Sequence, residues 1–243
     1  RLNLYLAFLA FSDNLCLIVY GWLWYFPAKT MPFLSNKQLY FYPWNHGVLI
    51  CKFHRFGMAF VSTMSTTAQL LITVDRCLSI YYPLRFANAS NKRAWYGIGA
   101  VTLISFIVSA PYFYLMGYSL TSEGQRVCYF ADSNTYFWQV TNVLFNNCGL
   151  VQVSLMIVAN CLLTVRLIRY RRERTNLTEG SKTLSSSEVS ASVVLVILSV
   201  IMIVGSLPQT IGQTMAMIVV DDPVLVLFAY TLFDTGSTIF FIQ

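Results

Sequence analysis

The chain is a succession of long apolar stretches separated by short polar ones. Residues 2–28 hold a single charge, Asp13; 56–74, 94–122, 133–165 and 189–220 hold none; and 223–243 hold only Asp234. A helix that crosses the hydrocarbon core of a bilayer needs about 20 predominantly apolar residues, and each stretch meets that length. Backbone groups cannot go unpaired in hydrocarbon, and these stretches far exceed the alternating strands of a membrane barrel, so all six are predicted to be helices. The Ser-rich polar run at 173–191 falls between the fourth and fifth stretches and reads as a loop, which leaves 1–243 as one domain.

Composition agrees with the pattern. Of 243 residues, 56% are hydrophobic and 11% charged, against about a quarter charged in an ordinary soluble domain. Where the charges fall matters more. If the six spans alternate sides, one set of connections carries Arg76, Arg85, Lys92, Arg93 and the run Arg169–Arg174 and sums to net +7, while the other sums to net +1. The excess of Lys and Arg marks the first set as cytoplasmic. The formal net charge of +6 is thereby topological, and no nucleic-acid partner is implied. The reading is a multi-pass membrane protein with its C-terminal end in the cytoplasm. A start inside the first inner connection predicts one further span before Arg1, seven in all.

Cys51 and Arg76 are expected on one helix, a rise of roughly 37 Å, with Cys51 outside and Arg76 inside. Cys128 lies in the next outer connection. Of the six cysteines, Cys51 and Cys128 are the two on the oxidising side, so a disulfide between them is the natural pairing. With two histidines, His46 and His54, and no Cys-x-x-Cys, no metal centre of the usual ligand spacing is expected.

The run Asp75-Arg76-Cys77-Leu78-Ser79-Ile80-Tyr81-Tyr82-Pro83-Leu84 resembles the Asp-Arg-Tyr…Pro-Leu signature of rhodopsin-like G protein-coupled receptors. Trp44-Asn45-His46-Gly47 is similar to that family's Trp-x-Phe-Gly turn, and Leu9-Ala10-Phe11-Ser12-Asp13 to its second helix. Pro111 and Pro208 sit where the family's fourth and sixth helices bend. The resemblance implies an all-α membrane protein, a seven-transmembrane helix bundle of which the second to seventh helices are present. It also implies a heterotrimeric G protein as cytoplasmic partner, docking at Asp75, Arg76 and Leu84, an acidic partner for Arg76 at Glu188, a lever at Pro208, and a sodium ion held by Asp13 and Ser65.

The residues themselves admit plainer readings. An Asp in mid-span costs about 2.5–3.5 kcal/mol on insertion scales, and Asp13 can either bind an ion or hydrogen-bond a neighbouring helix. Arg76 can pair with Glu188, pair with adjacent Asp75, or snorkel to the headgroups. The chain also departs from the family pattern. The aromatic expected two residues before Pro208 is Ser206, the Trp usual in the fourth helix falls at Val101, and the Asn-Pro motif of the last helix becomes Ile239-Phe240.

The Asp with which amine receptors hold an ammonium group is replaced here by Met58, so amines are disfavoured. The expected ligand lining is Met58, Ser62, Asn146, Gln209, Thr210, Gln213 and Phe233, polar but uncharged, which suits peptide groups. Ser206-Leu207-Pro208-Gln209 and Phe240-Phe241-Ile242 resemble invertebrate neuropeptide receptors of the FMRFamide-receptor type. The expectation is a neuropeptide receptor with no cofactor beyond the sodium ion; the alternatives are a chemosensory receptor of the same fold and, from another class, a secondary transporter. Transporters normally show related halves or paired intramembrane charges, and neither is present. No nucleophile–base constellation points to an enzyme.

Overall fold

The computed structural model describes the backbone at residues 2–82, 91–120, 126–130, 136–176, 186–218 and 223–242. Within these, the side chains of 119–120, 129–130, 136–148, 170–176, 186–192, 195, 198, 202, 213, 216–218, 223, 234 and 237–242 lie outside the description.

Six helical segments follow one another. The first, α1, runs Leu2–Leu34. It is α-helical over Leu2–Cys16, winds with wider i→i+5 turns over Leu17–Thr30, and closes with one α turn at Met31–Leu34. Pro27 lies in the wide-turned part, and past it the Met31 N–H donates to the carbonyl of Phe26, five residues back. Pro27 has no N–H to give. The helix stops where Asn36 and Lys37 take left-handed φ values of 49° and 64°, and the Lys37 N–H turns back to the Pro32 carbonyl at 2.6 Å, a common helix ending.

A short 3-10 turn at Pro43–Asn45 leads into α2, Val48–Tyr81. Next, α3 spans Asn91–Leu115, breaking at Ala110 and restarting on Pro111 in the first helical turn, where a missing N–H costs nothing. Strands β1, Met116–Leu120, and β2, Arg126–Phe130, pair antiparallel with Tyr118 opposite Cys128. Three helices complete the chain: α4, Tyr136–Asn176; α5, Ser186–Ile218, with Pro208 inside it; and α6, Pro223–Ile242, again opening on proline.

Four described helical stretches are long and apolar enough to cross a membrane, namely Leu2–Leu34, Val48–Tyr81, Asn91–Leu115 and Gly149–Arg169; shorter apolar runs occupy Ser199–Gly212 and Val224–Phe233. Their outward residues are apolar, as with Leu155, Val158 and Leu162 on α4, which fits lipid as the solvent. Several hydroxyls close on their own helices: Thr66, Thr102, Ser105 and Thr214 each donate to the carbonyl four residues back. That satisfies polar groups where water is absent.

Two expectations need correcting. The polar run 173–191, read as a loop, is helical at both ends, since α4 continues to Asn176 and α5 begins at Ser186; polar residues suit a helix that has run past the lipid into water. The uncharged stretch 94–122 is not one helix, because its last residues form β1. Absence of charge is shared by a membrane helix and by a strand packed over a protein core, so charge spacing cannot separate them.

The chain forms two compact units. The first comprises Arg1–Ala68 with Ala94–Asn147, the second Gln69–Arg93 with Cys148–Gln243. In the first, Trp44, Cys51, Met116 and Cys128 make a buried cluster that Trp24, Ala28, Tyr42, Tyr112 and Tyr118 pack against. The second holds two apolar clusters, one of Cys77, Ile80, Ala159, Leu163 and Leu167, the other of Val153, Met156 and Ile203.

Candidate functional site

In the first unit the expected disulfide is formed. Cys51, in the first turn of α2, bonds Cys128 of β2 across a sequence separation of 77 residues. The Cys128 N–H donates to Asn45 Oδ1 at 2.9 Å. The Trp44-Asn45-His46-Gly47 turn thus ties the hairpin down a second time, and Trp44 stacks on His54 with ring centroids 4.6 Å apart. Removing backbone and sulfur freedom together makes the hairpin a fixed cover over the aromatic cluster below it.

Further along α2, the Ser65 hydroxyl donates to Asp13 Oδ1 of α1 at 2.5 Å. Ser65 is fully buried and Asp13 half-buried. These two oxygens are the hard donors that an alkali cation takes, so the pair fits a sodium ion, with Asp13 supplying the charge and Ser65 a neutral oxygen. The same hydrogen bond also satisfies the plainer reading, a link between neighbouring helices. Among the described residues no group of three His, Cys, Asp or Glu side chains gathers to hold a metal ion.

Of the expected lining, Met58 and Ser62 belong to the first unit, Met58 buried and Ser62 half-buried on α2. In the second unit, Gln209 and Thr210 of α5 and Phe233 of α6 are half-buried. The Thr210 hydroxyl donates to the Ser206 carbonyl at 2.7 Å, so it is engaged within its own helix. Gln209 and Phe233 lie where α5 and α6 touch. A Cβ added at Gly212 would stand 2.6 Å from the Ala229 carbonyl oxygen and 2.6 Å from the Phe233 nitrogen, and one at Gly236 would meet the Gln209 nitrogen. The side chains of Asn146 and Gln213 lie outside the described residues.

At the other end of α2, Arg76 and Asp75 are both buried, and one guanidinium nitrogen, Nη2, stands 2.9 Å from Asp75 Oδ2. Among the described residues, this is the acidic partner that Arg76 has. The Glu188 side chain and the whole of Leu84 lie outside the described residues. Pro208 is half-buried inside α5, with Gly205 and Ser206 buried just before it.

Two features escaped the sequence reading. The hairpin carried a signal, since Tyr118, Val127 and Tyr129 are strand formers flanking Glu123-Gly124. A polar layer of Gln69, Thr73 and Ser199 in the second unit carried none, because its members come from two uncharged runs far apart in the chain, 56–74 and 189–220.

Comparison with known proteins settles the class. The family model described as "7 transmembrane receptor (rhodopsin family)" matches residues 1–240. The neuropeptide S receptor of Rattus norvegicus is 27% identical over 90 residues, covering 37% of this chain and 24% of that protein. The growth hormone secretagogue receptor type 1 of Homo sapiens is 32% identical over 120 residues, 47% of this chain and 29% of its own length. The aligned stretches thus span under a third of these curated relatives. Receptors of this kind are not enzymes, and their helices cross the membrane several times. With helical runs, disulfide and family match in agreement, the chain belongs to the rhodopsin family of seven-transmembrane receptors.

Proposed function

We propose that this chain is the second-to-seventh-helix part of a plasma-membrane receptor that binds an extracellular peptide and couples to a cytoplasmic heterotrimeric G protein. The observation that carries the reading is α2, which joins the disulfide-pinned hairpin at Cys51 to the buried Asp75–Arg76 pair 25 residues later on one unbroken helix. One end is built for an oxidising exterior. The other sits beside the connections richest in Lys and Arg, which the charge rule assigns to the cytoplasm.

A peptide is favoured over an amine by Met58 in place of an acidic residue, and over a small odorant by the names of the relatives, one of which is a neuropeptide receptor. The likeness to FMRFamide-type receptors rests on the residues around Pro208 and on the Phe240-Phe241-Ile242 ending alone. Ligand binding would favour a conformer in which α5 pivots near Pro208 and Arg76 leaves its acidic partner, Asp75 or Glu188, to meet the G protein. Sodium at Asp13 and Ser65 would favour the resting conformer.

The test is a screen of peptide and small-molecule libraries against the full-length receptor, read out through a promiscuous G protein. Activation by a peptide pool is the expected result. Activation by small volatile molecules alone would replace the peptide reading with the chemosensory one.

A further inference from the structure

The second unit contains a buried polar layer that the reading above does not use. Gln69 and Thr73 of α2 and Ser199 of α5 are 4%, 2% and 1% exposed. Gln69 Nε2 donates to Ser199 Oγ at 3.4 Å, Ser199 Oγ and Thr73 Oγ1 stand 3.4 Å apart, and Thr73 Oγ1 donates to the Gln69 carbonyl at 2.9 Å. Ser199 of α5 thus meets two side chains of α2, accepting from Gln69 and standing within hydrogen-bond reach of Thr73.

Apolar clusters lie along the helices on either side of this layer, Val153, Met156 and Ile203 towards Pro208 and Cys77, Ala159 and Leu163 towards Arg76. Both interhelical contacts are near the long limit for a hydrogen bond, so they hold α5 without welding it. An unused acceptor stands on α4, one turn past Met156 and next to Ala159, members of the two clusters. Asn160 of α4, 5% exposed, donates its Nδ2 to the Met156 carbonyl at 2.8 Å, while its Oδ1 is buried with no donor among the described residues. Its neighbour Ala159 accepts from the Cys77 thiol at 3.1 Å, and Cys77 shares a face of α2 with Gln69 and Thr73 through their four-residue spacing.

We propose that Gln69, Thr73 and Ser199 form a polar latch that holds α5 against α2, and that Asn160 Oδ1 takes over the Gln69 amide when α5 departs. The layer then has two satisfied arrangements, as a two-state element requires. Leaving the Gln69 amide without a partner in a dry interior would penalise the released state, and Asn160 removes that penalty. The inference rests on the receptor reading above, so the test needs a readout that does not depend on coupling.

The full-length receptor is prepared with spin labels at Tyr82 and Val194, and its label-to-label distances and basal nucleotide exchange on a G protein are measured. Ser199→Ala is expected to shift the distances to longer values and to raise basal exchange about threefold, the scale of one interhelical hydrogen bond in a membrane. Ser199→Thr, which keeps the hydroxyl, leaves both at wild-type values. Adding Asn160→Leu to Ser199→Ala brings the distances back. Should Ser199→Ala fail to reach the membrane, Gln69→Leu removes the donor of the same hydrogen bond and carries the same expectation for distances and exchange. Unchanged distances in a folded Ser199→Ala or Gln69→Leu receptor overturn the latch, and a double variant no different from Ser199→Ala overturns the role of Asn160. Longer distances without a change in exchange support the latch and count against G protein coupling instead.

Discussion

Asp13 and Ser65 meet across α1 and α2 because a carboxylate in mid-span needs a partner, and a hydroxyl one helix away is the least costly one. If the pair also holds sodium, the full-length receptor is more heat-stable in sodium chloride than in choline chloride. Asp13→Asn then abolishes the difference, which a thermal melt in the two salts checks. A melt of Asp13→Asn that keeps the sodium effect places the ion elsewhere. The disulfide permits a second expectation at this scale. On the chain-entropy model a bond closing a loop of this length contributes about 4 kcal/mol, so Cys128→Ser should cut surface expression severely. Measured by cell-surface labelling, expression equal to wild type would contradict the hairpin's role as a fixed cover.

At the scale of elements, the seam between α5 and α6 is set by two glycines. Gly212 and Gly236 bring the helices so close that a methyl group at either position meets backbone atoms, which cannot swing aside as a side-chain tip can. Overpacking of this kind typically costs about 1–3 kcal/mol. Gly212→Ala and Gly236→Ala should each lower the melting temperature of the purified receptor, whereas Gly99→Ala, where nothing stands near the added atom, should leave it unchanged. The seam also bears on the lever at Pro208, since Gln209 lies within it. Movement of α5 about the proline must carry α6 along or break the contact at Gly236.

Most of the helices were legible in the spacing of charges because lipid forbids charge, and a residue such as Asp13 stands out against an apolar run. The hairpin was not legible by that measure, since the core it covers excludes charge as lipid does. Cys51 and Cys128 could be paired from topology alone. The partner of Arg76 could not, because Asp75 and Glu188 satisfy the same electrostatic need and only geometry chooses between them. The polar layer of Gln69, Thr73 and Ser199 is invisible in one dimension, as its members are 126 or more residues apart across the two helices. For the whole molecule, the charge asymmetry predicts that an epitope placed within residues 177–185 is reached by antibody only after the cells are made permeable. Staining of intact cells would reverse the assigned orientation. If ligand and G protein are coupled, linkage requires that each tighten the other's binding by the same factor, which paired titrations on one preparation can measure.

The wide-turned stretch Leu17–Thr30 changes how the receptor can be compared with its relatives. Its turns hold more residues than the 3.6 of an α-helix. Upstream, the buried positions Tyr5, Leu9, Ser12 and Cys16 step by four and three; downstream, Trp24 and Ala28, which pack on the cluster under the hairpin, step by four. Position numbers carried over from a relative with a regular second helix therefore lose register past Cys16, and a residue matched by count would face a different neighbour. For α1 the dependable ruler beyond that point is the hairpin it packs under, and not the distance in sequence from Asp13.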